Sequence, residues 1–110
     1  MNAMKNKVQL IGNVGNDPEI KNLDGGKKVA NLTIATNESY KNDKGEKVEQ
    51  TEWHKVVAWG KTAEIIEKYV TKGLQIAIEG KLTHRSYDDK NGEKRYITEV
   101  VVNDVLLLGK

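Results

Sequence analysis

Apolar residues recur at every second position in several runs of this chain, the spacing of half-buried strands. Val8, Leu10 and Val14 share one side of residues 7–15, a first strand bent around Gly12 and Gly15. Asn16-Asp17-Pro18 predicts a turn, and Leu23-Asp24-Gly25-Gly26-Lys27 a loop tip. Residues 28–37 alternate again, with Ala30, Leu32 and Ile34 on one face and Val29, Asn31, Thr33 and Ala35 on the other. This second strand runs towards Tyr40 and the polar loop 41–47. Residues 51–61 return as a third strand, so the two form a long hairpin with a charged tip. Ile65, Ile66, Tyr69 and Val70 then fall at helical spacing. A short helix over 63–70 follows, with Thr62 as N-cap, Tyr69 on the core side and Lys72-Gly73 closing it. A fourth strand runs over 74–82 and on to 89, and Asn91-Gly92 signals a two-residue hairpin that sets Tyr87 opposite Tyr96. Residues 96–108 are the last strand.

This order is an all-β chain: a five-stranded oligonucleotide-binding (OB) barrel with one short α-helix between strands 3 and 4 and projecting hairpin loops. The main competitor is an SH3-like barrel, and a helix between the third and fourth strands argues against it. At 110 residues the chain is one domain, over 7–109, preceded by a loose leader of residues 1–6. A second methionine at Met4 fits a leader partly derived from a cloning vector. The absence of cysteine excludes a disulfide framework, a thiolate metal site and a cysteine nucleophile. No apolar run reaches membrane-spanning length and no signal peptide is evident, so the expectation is a cytoplasmic protein with no membrane partner. A net charge of +2 is weak evidence for nucleic acid, so placement of charge must carry that argument.

Placement does carry it. In the third strand Thr51, Trp53, Lys55, Val57 and Trp59 share a face, so both tryptophans flank a lysine about 20 Å from end to end. Flat rings interleaved with cations suit unpaired bases and a phosphate chain. Tyr40, Tyr87 and Tyr96 lie on the same hairpins, and Lys41, Lys55, Lys61, Arg85 and Arg95 stand close to rings. Enzymatic patterns fare worse. Gly60-Lys61-Thr62 lacks the earlier glycine of a phosphate-binding loop. His54 and His84 have no third ligand at metal spacing, and Asp88-Asp89-Lys90-Asn91-Gly92 lacks the acids of a calcium loop. The expectation is no catalytic residue, no metal and no cofactor. Two alternatives stay open: a metal-dependent nuclease whose carboxylates converge from distant segments, and a replication accessory or protein-interaction barrel using the tryptophan face.

The chain resembles the bacterial single-stranded DNA-binding protein family across residues 6–109. The resemblance rests on Asn6-Lys7-Val8 leading to Gly12-Asn13-Val14-Gly15-Asn16-Asp17-Pro18, and on Ala30-Asn31 through Ala35-Thr36-Asn37-Glu38-Ser39. Gln50-Thr51-Glu52-Trp53-His54 to Gly60-Lys61, Ile78-Glu79-Gly80-Lys81-Leu82, and Arg95-Tyr96 to Thr98-Glu99-Val100-Val101-Val102 complete it. It implies non-enzymatic, largely sequence-independent binding of single-stranded DNA in replication, recombination and repair, by a homotetramer of such barrels. Stacking positions correspond to Tyr40, Trp53, Trp59 and Tyr87, and backbone-following cations to Lys55, Lys61, Lys72, Arg85 and Arg95. His54, Gln75 and the first strand, with Lys7 and Gln9, match positions near subunit contacts. Family members usually continue into a Gly/Pro/Gln-rich linker and an acidic tip. Nothing follows Lys110 here, so the expectation is a tail-less form, and tail-mediated partners are in doubt.

Overall fold

A computed structural model describes residues 5–109. Residues 1–4 of the expected leader, and Lys110, lie outside the described residues. Asn6 is tied down: its side-chain amide donates to the Leu82 carbonyl, and its Oδ1 accepts the Leu82 N–H. The elements are β1 (Val8–Val14), β2 (Glu19–Leu23), β3 (Lys27–Lys41), β4 (Lys47–Trp59), α1 (Gly60–Tyr69), β5 (Gln75–Asp88) and β6 (Lys94–Gly109).

The strands run in the order β1-β5-β6-β4-β3-β2, and β1 also pairs with β3 through Asn13↔Ala35 and Val14↔Ile34. That second pairing closes β1, β3, β4, β5 and β6 into a five-stranded barrel, the predicted OB architecture, with the helix between the third and fourth barrel strands. Strand β1 serves both neighbours because Gly12 lets the backbones close in. A Cβ there would sit 2.3 Å from the Ala35 carbonyl oxygen. Gly80 does the same at a bulge in the β5–β6 pair, where a Cβ would lie 2.1 Å from the Val101 oxygen.

The barrel interior is filled by the alternating aliphatic set, as the periodicity predicts. Ala30, Leu32 and Ile34 meet Val56, Ala58, Ile76, Ile78, Val100 and Val102, and no ring is needed. Helix α1 plugs the open end with Ala63, Ile66 and, just past its last turn, Val70.

Three local expectations are corrected. The helix begins at Gly60, and its N-cap is Trp59 with no side-chain cap, so Thr62 lies inside the first turn. Gly60 makes the sharp exit from β4 at φ 60°, a conformation glycine adopts freely. Tyr69 is not core: Ile66 and Val70 fill that space, and the tyrosine is 58% exposed. Residues 19–23, unassigned by periodicity, form β2 against β3.

A fourth correction concerns register. The hairpin after β5 closes between Asp89 and Glu93, with Lys90, Asn91 and Gly92 as a three-residue loop. Asp89 Oδ1 accepts the N–H groups of Asn91 and Glu93, and Gly92 takes φ 78°. One extra loop residue shifts the pairing by one. Tyr87 therefore faces Arg95, and Tyr96 faces Ser86, so the two tyrosines lie on opposite faces of the ribbon. The hairpin between β3 and β4 closes identically, with Asn42 Oδ1 accepting Lys44 and Glu46 N–H groups and Gly45 at φ 80°. Both ribbons run past the barrel as arms. The radius of gyration is 16.1 Å, against about 13 Å for a compact chain of this length, because of them.

Candidate nucleic-acid interface

Strand β4 has a core face, Val56 and Ala58, and a second face carrying Trp53, Lys55, Val57 and Trp59. Unbroken pairing with β3 sets Ala35, Thr33, Asn31 and Val29 opposite those four. Both tryptophans thus share a face, as the alternation predicts. Parallel pairing of Val57 with Val101 carries this face into β6, and antiparallel pairing carries it on to Lys81, Thr83, Arg85 and Tyr87 of β5. Trp53, Lys55, Arg85 and Tyr87 therefore stand on one continuous surface.

A groove of about 230 Å³ runs across that surface between Asn16 and Asn31 on one side and Arg85 and Ile97 on the other, with Lys55 along it. One wall is fixed by a clamp. Asn16 Oδ1 accepts both the N–H (2.9 Å) and the hydroxyl (2.7 Å) of Thr33, and the Gly15 N–H donates to the Thr33 carbonyl. Trp53 lies across Gly15 and is 63% exposed, and Trp59 is 48% exposed. Neither indole belongs to the core, so both keep an accessible face.

The remaining predicted rings spread more widely than one face. Tyr40 is exposed on the far arm opposite Val48, in the parity of the core face. Tyr96 shares that parity on the other arm. Strands β4 and β6 pair only at residues 56–57 and 100–101, and beyond that they separate. The resulting cleft, about 410 Å³, is lined by Trp53, His54, Lys55, Leu82 and Tyr96 among others, so Lys55 borders both openings while Trp53 borders this one. Trp59 stands at the opposite end, at the start of α1.

The cations divide into two groups. Arg85 Nε donates to Glu99 at 2.9 Å and Arg95 Nε to Asp89 at 2.9 Å, so each already holds a carboxylate. Lys41, Lys55, Lys61 and Lys72 make no ion pair among the described residues. Lys72 follows the helix, where its N–H donates to Asp17. Lys41 faces Lys47 across the arm. Sequence reading gave Lys47, Gly15 and Asn16 no part in the interface. The first was recoverable from the register that the Asn42–Glu46 loop imposes, but the Gly15–Trp53 approach has no sequence signal.

The residues expected near subunit contacts also separate. Gln9 faces Glu79, Ile11 faces Ala77, and Asn13 faces Gln75. Lys7 lies 3.5 Å from Glu79, while Gln9 donates to the same carboxylate at 2.9 Å. That amide bond first, and the Lys7 ammonium after it, hold the Glu79 carboxyl below its ordinary value. Ile11 and Leu106 are exposed in the middle of this β1–β5–β6 face. His54 lies elsewhere, its Nε2 2.9 Å from Thr36 Oγ1 on β3.

Residues 5–108 match the model of the single-strand binding protein family. The chain is 51% identical over 105 residues to single-stranded DNA-binding protein 1 of Chlorobaculum tepidum, covering 94% of this chain and 65% of that one. It thus spans a little under two thirds of that relative's length. Among solved structures, a Plasmodium falciparum SSB in complex with ssDNA superposes with a TM-score of 0.88 at 36% identity, covering 98% and 99% of the two chains. A deletion mutant of the single-stranded DNA binding protein from Thermus aquaticus gives 0.82 at 29% identity, covering 94% of this chain and 50% of that one. A closed OB barrel with an aromatic and basic face, matched along nearly its whole length, leaves one assignment: the chain belongs to the single-strand binding protein family.

Proposed function

We propose that this protein binds and protects single-stranded DNA without catalysing a reaction on it, largely regardless of sequence, in replication, recombination and repair. The observation that carries the proposal is the Trp53–Lys55 face, where an open indole and an ammonium with no ion pair among the described residues line one cleft together. Every base has a flat face, so a ring stacks on any of them, at about 1–3 kcal/mol per base. Lysines follow the phosphates and release counterions, with a salt slope of about 0.7 per contact. The assigned stacking set is Tyr40, Trp53, Trp59, Tyr87 and Tyr96. Lys41, Lys55, Lys61 and Lys72 supply charge without first giving up a partner. Arg85 and Arg95 reach phosphates by exchanging Glu99 and Asp89 for them.

The working unit in this reading is a homotetramer. Its support is the row of exposed Ile11 and Leu106 with half-buried Ala77 between them, flanked by Gln9, Glu79 and Gln75, an apolar centre with a polar rim. Lys7, Gln9 and Gln75 take part there, and His54 acts from the cleft between β4 and β6 rather than on that sheet.

The test is titration with oligo(dT) and with duplex of equal length, alongside a mass measurement in solution. Saturable binding of the single strand, weak binding of duplex and a four-chain mass are expected. Oligonucleotide shortened on incubation with Mg²⁺ would assign a nuclease instead. No shift at low salt would favour a protein-interaction barrel.

A further inference from the structure

Tyr69, which periodicity assigned to the interior, stands on the outside of α1. At 3.6 residues per turn, Lys61, Ile65, Lys68 and Tyr69 fall within an arc of about 100° centred opposite the buried Ala63. Ile65 and Tyr69 are both exposed, and neither is needed to seal the barrel, since Ala63, Ile66 and Val70 do so. Lys61, Lys68 and the following Lys72 make no ion pair among the described residues. Glu67, the acid on the barrel side of the helix, is held by Lys28 of β3, which leaves Glu64 alone at the edge of the arc. The helix therefore shows an apolar, aromatic strip bordered by three free ammonium groups.

This strip begins where the β4 face ends, because Trp59 is both the last residue of β4 and the N-cap of α1. From the geometry we infer that a single strand leaving Trp59 continues along α1. One base lies on Tyr69, Ile65 packs beneath the strand, and phosphates lie beside Lys61, Lys68 and Lys72. The inference rests on the reading above and extends its path by about 15 Å, the length of the helix. Charge chooses the occupant: lysines with one opposing acid attract a polyanion and repel a second copy of the same surface. The arrangement also repeats the ring-and-cation alternation of Trp53 and Lys55.

The test uses the full chain with Tyr69→Ala and Lys68→Gln, both at exposed positions. Tryptophan quenching is titrated with oligo(dT) of about 5 and about 30 nucleotides, one near the lower end of the ~4–16 nucleotides a barrel of this type covers and one well beyond the upper end. Tyr69→Ala should weaken binding of the long strand about fivefold or more and leave the short strand unchanged. Lys68→Gln should lower the salt slope for the long strand by about 0.7. Wild-type affinity and slope in both variants would overturn the inference while leaving the Trp53 site standing. Equal losses at both lengths would also overturn it. So would a changed mass in solution with unchanged affinity, which would give the face to a second copy. Absence of quenching in the wild type would remove this inference together with the underlying reading.

Discussion

The indole of Trp53 rests on Gly15, so closely that a Cβ at residue 15 would come within 2.4 Å of ring atom Cζ3. The backbone beneath is pinned by the Gly15 and Asn16 bonds to Thr33, so the side chains must give way: the ring first, and with it the Thr33 hydroxyl, which the Cβ would approach to 2.8 Å. Gly15→Ala should therefore tilt Trp53 away from the cleft it lines and weaken oligo(dT) binding by up to one stacking increment, about 1–3 kcal/mol. The melting temperature should change little, because the ring is on the surface. Parallel measurement of affinity and thermal unfolding checks this; unchanged affinity would show that the ring's seat does not matter.

Gly80 is a different case. The atom its Cβ would meet is the Val101 backbone oxygen at 2.1 Å, and a strand cannot swing aside as a ring can. Gly80→Ala should break the bulge and the β5–β6 register beyond it. A large drop in urea midpoint is expected. A midpoint within error of wild type would mean that the bulge relaxes freely.

Ile34 is fully buried where β1, β3 and β4 meet. Truncating it to alanine leaves a cavity that β-strands tied on both sides fill poorly, at a cost of about 2–5 kcal/mol by chemical denaturation. Since Ile34 lies behind the groove, DNA affinity of the folded fraction should persist. A loss below about 1 kcal/mol would mark a loosely packed barrel.

Asp89 links the hairpin tip to pH. The Arg95 bond first, then the backbone N–H groups of Glu93 and Asn91, hold its carboxyl below the ordinary value of 3.8. A carboxyl depressed in the folded state stabilises the loop fully above its unfolded value, and the effect fades as pH falls through the folded value. The amide shifts of Asn91 and Glu93 should hold steady down to about pH 4 and move together below it. In Asp89→Asn that joint step should vanish. Persistence of the step in the variant would assign it to another group.

Much of this molecule was readable in advance because its core obeys strict alternation. Ala30, Leu32, Ile34, Val56 and Ala58 are one face of two strands, and the barrel follows from them. Strand β2 escaped because Ile20 is its only partly buried residue, so no apolar period marks it. Tyr69 escaped because an aromatic at helical spacing fits the core equally well on paper, and only packing shows Ile66 and Val70 already there. The Tyr87–Tyr96 pairing failed on one loop residue: Asn91-Gly92 was read as the turn, while the Asp89 carboxylate organises a longer one. At the site, Trp53, Lys55 and Trp59 came from alternation alone. The Arg85–Glu99 and Arg95–Asp89 pairs needed three dimensions, since each joins residues whose nearness depends on register.

The most direct measurement follows Trp53 emission in a Trp59→Phe background, titrated with oligo(dT) and with duplex at one fixed salt concentration. If bases lie on the open indole beside Lys55, the single strand quenches it saturably, the duplex hardly at all, and added salt reverses the effect. An emission that stays constant at low salt, however much oligo(dT) is added, would contradict the account at its centre.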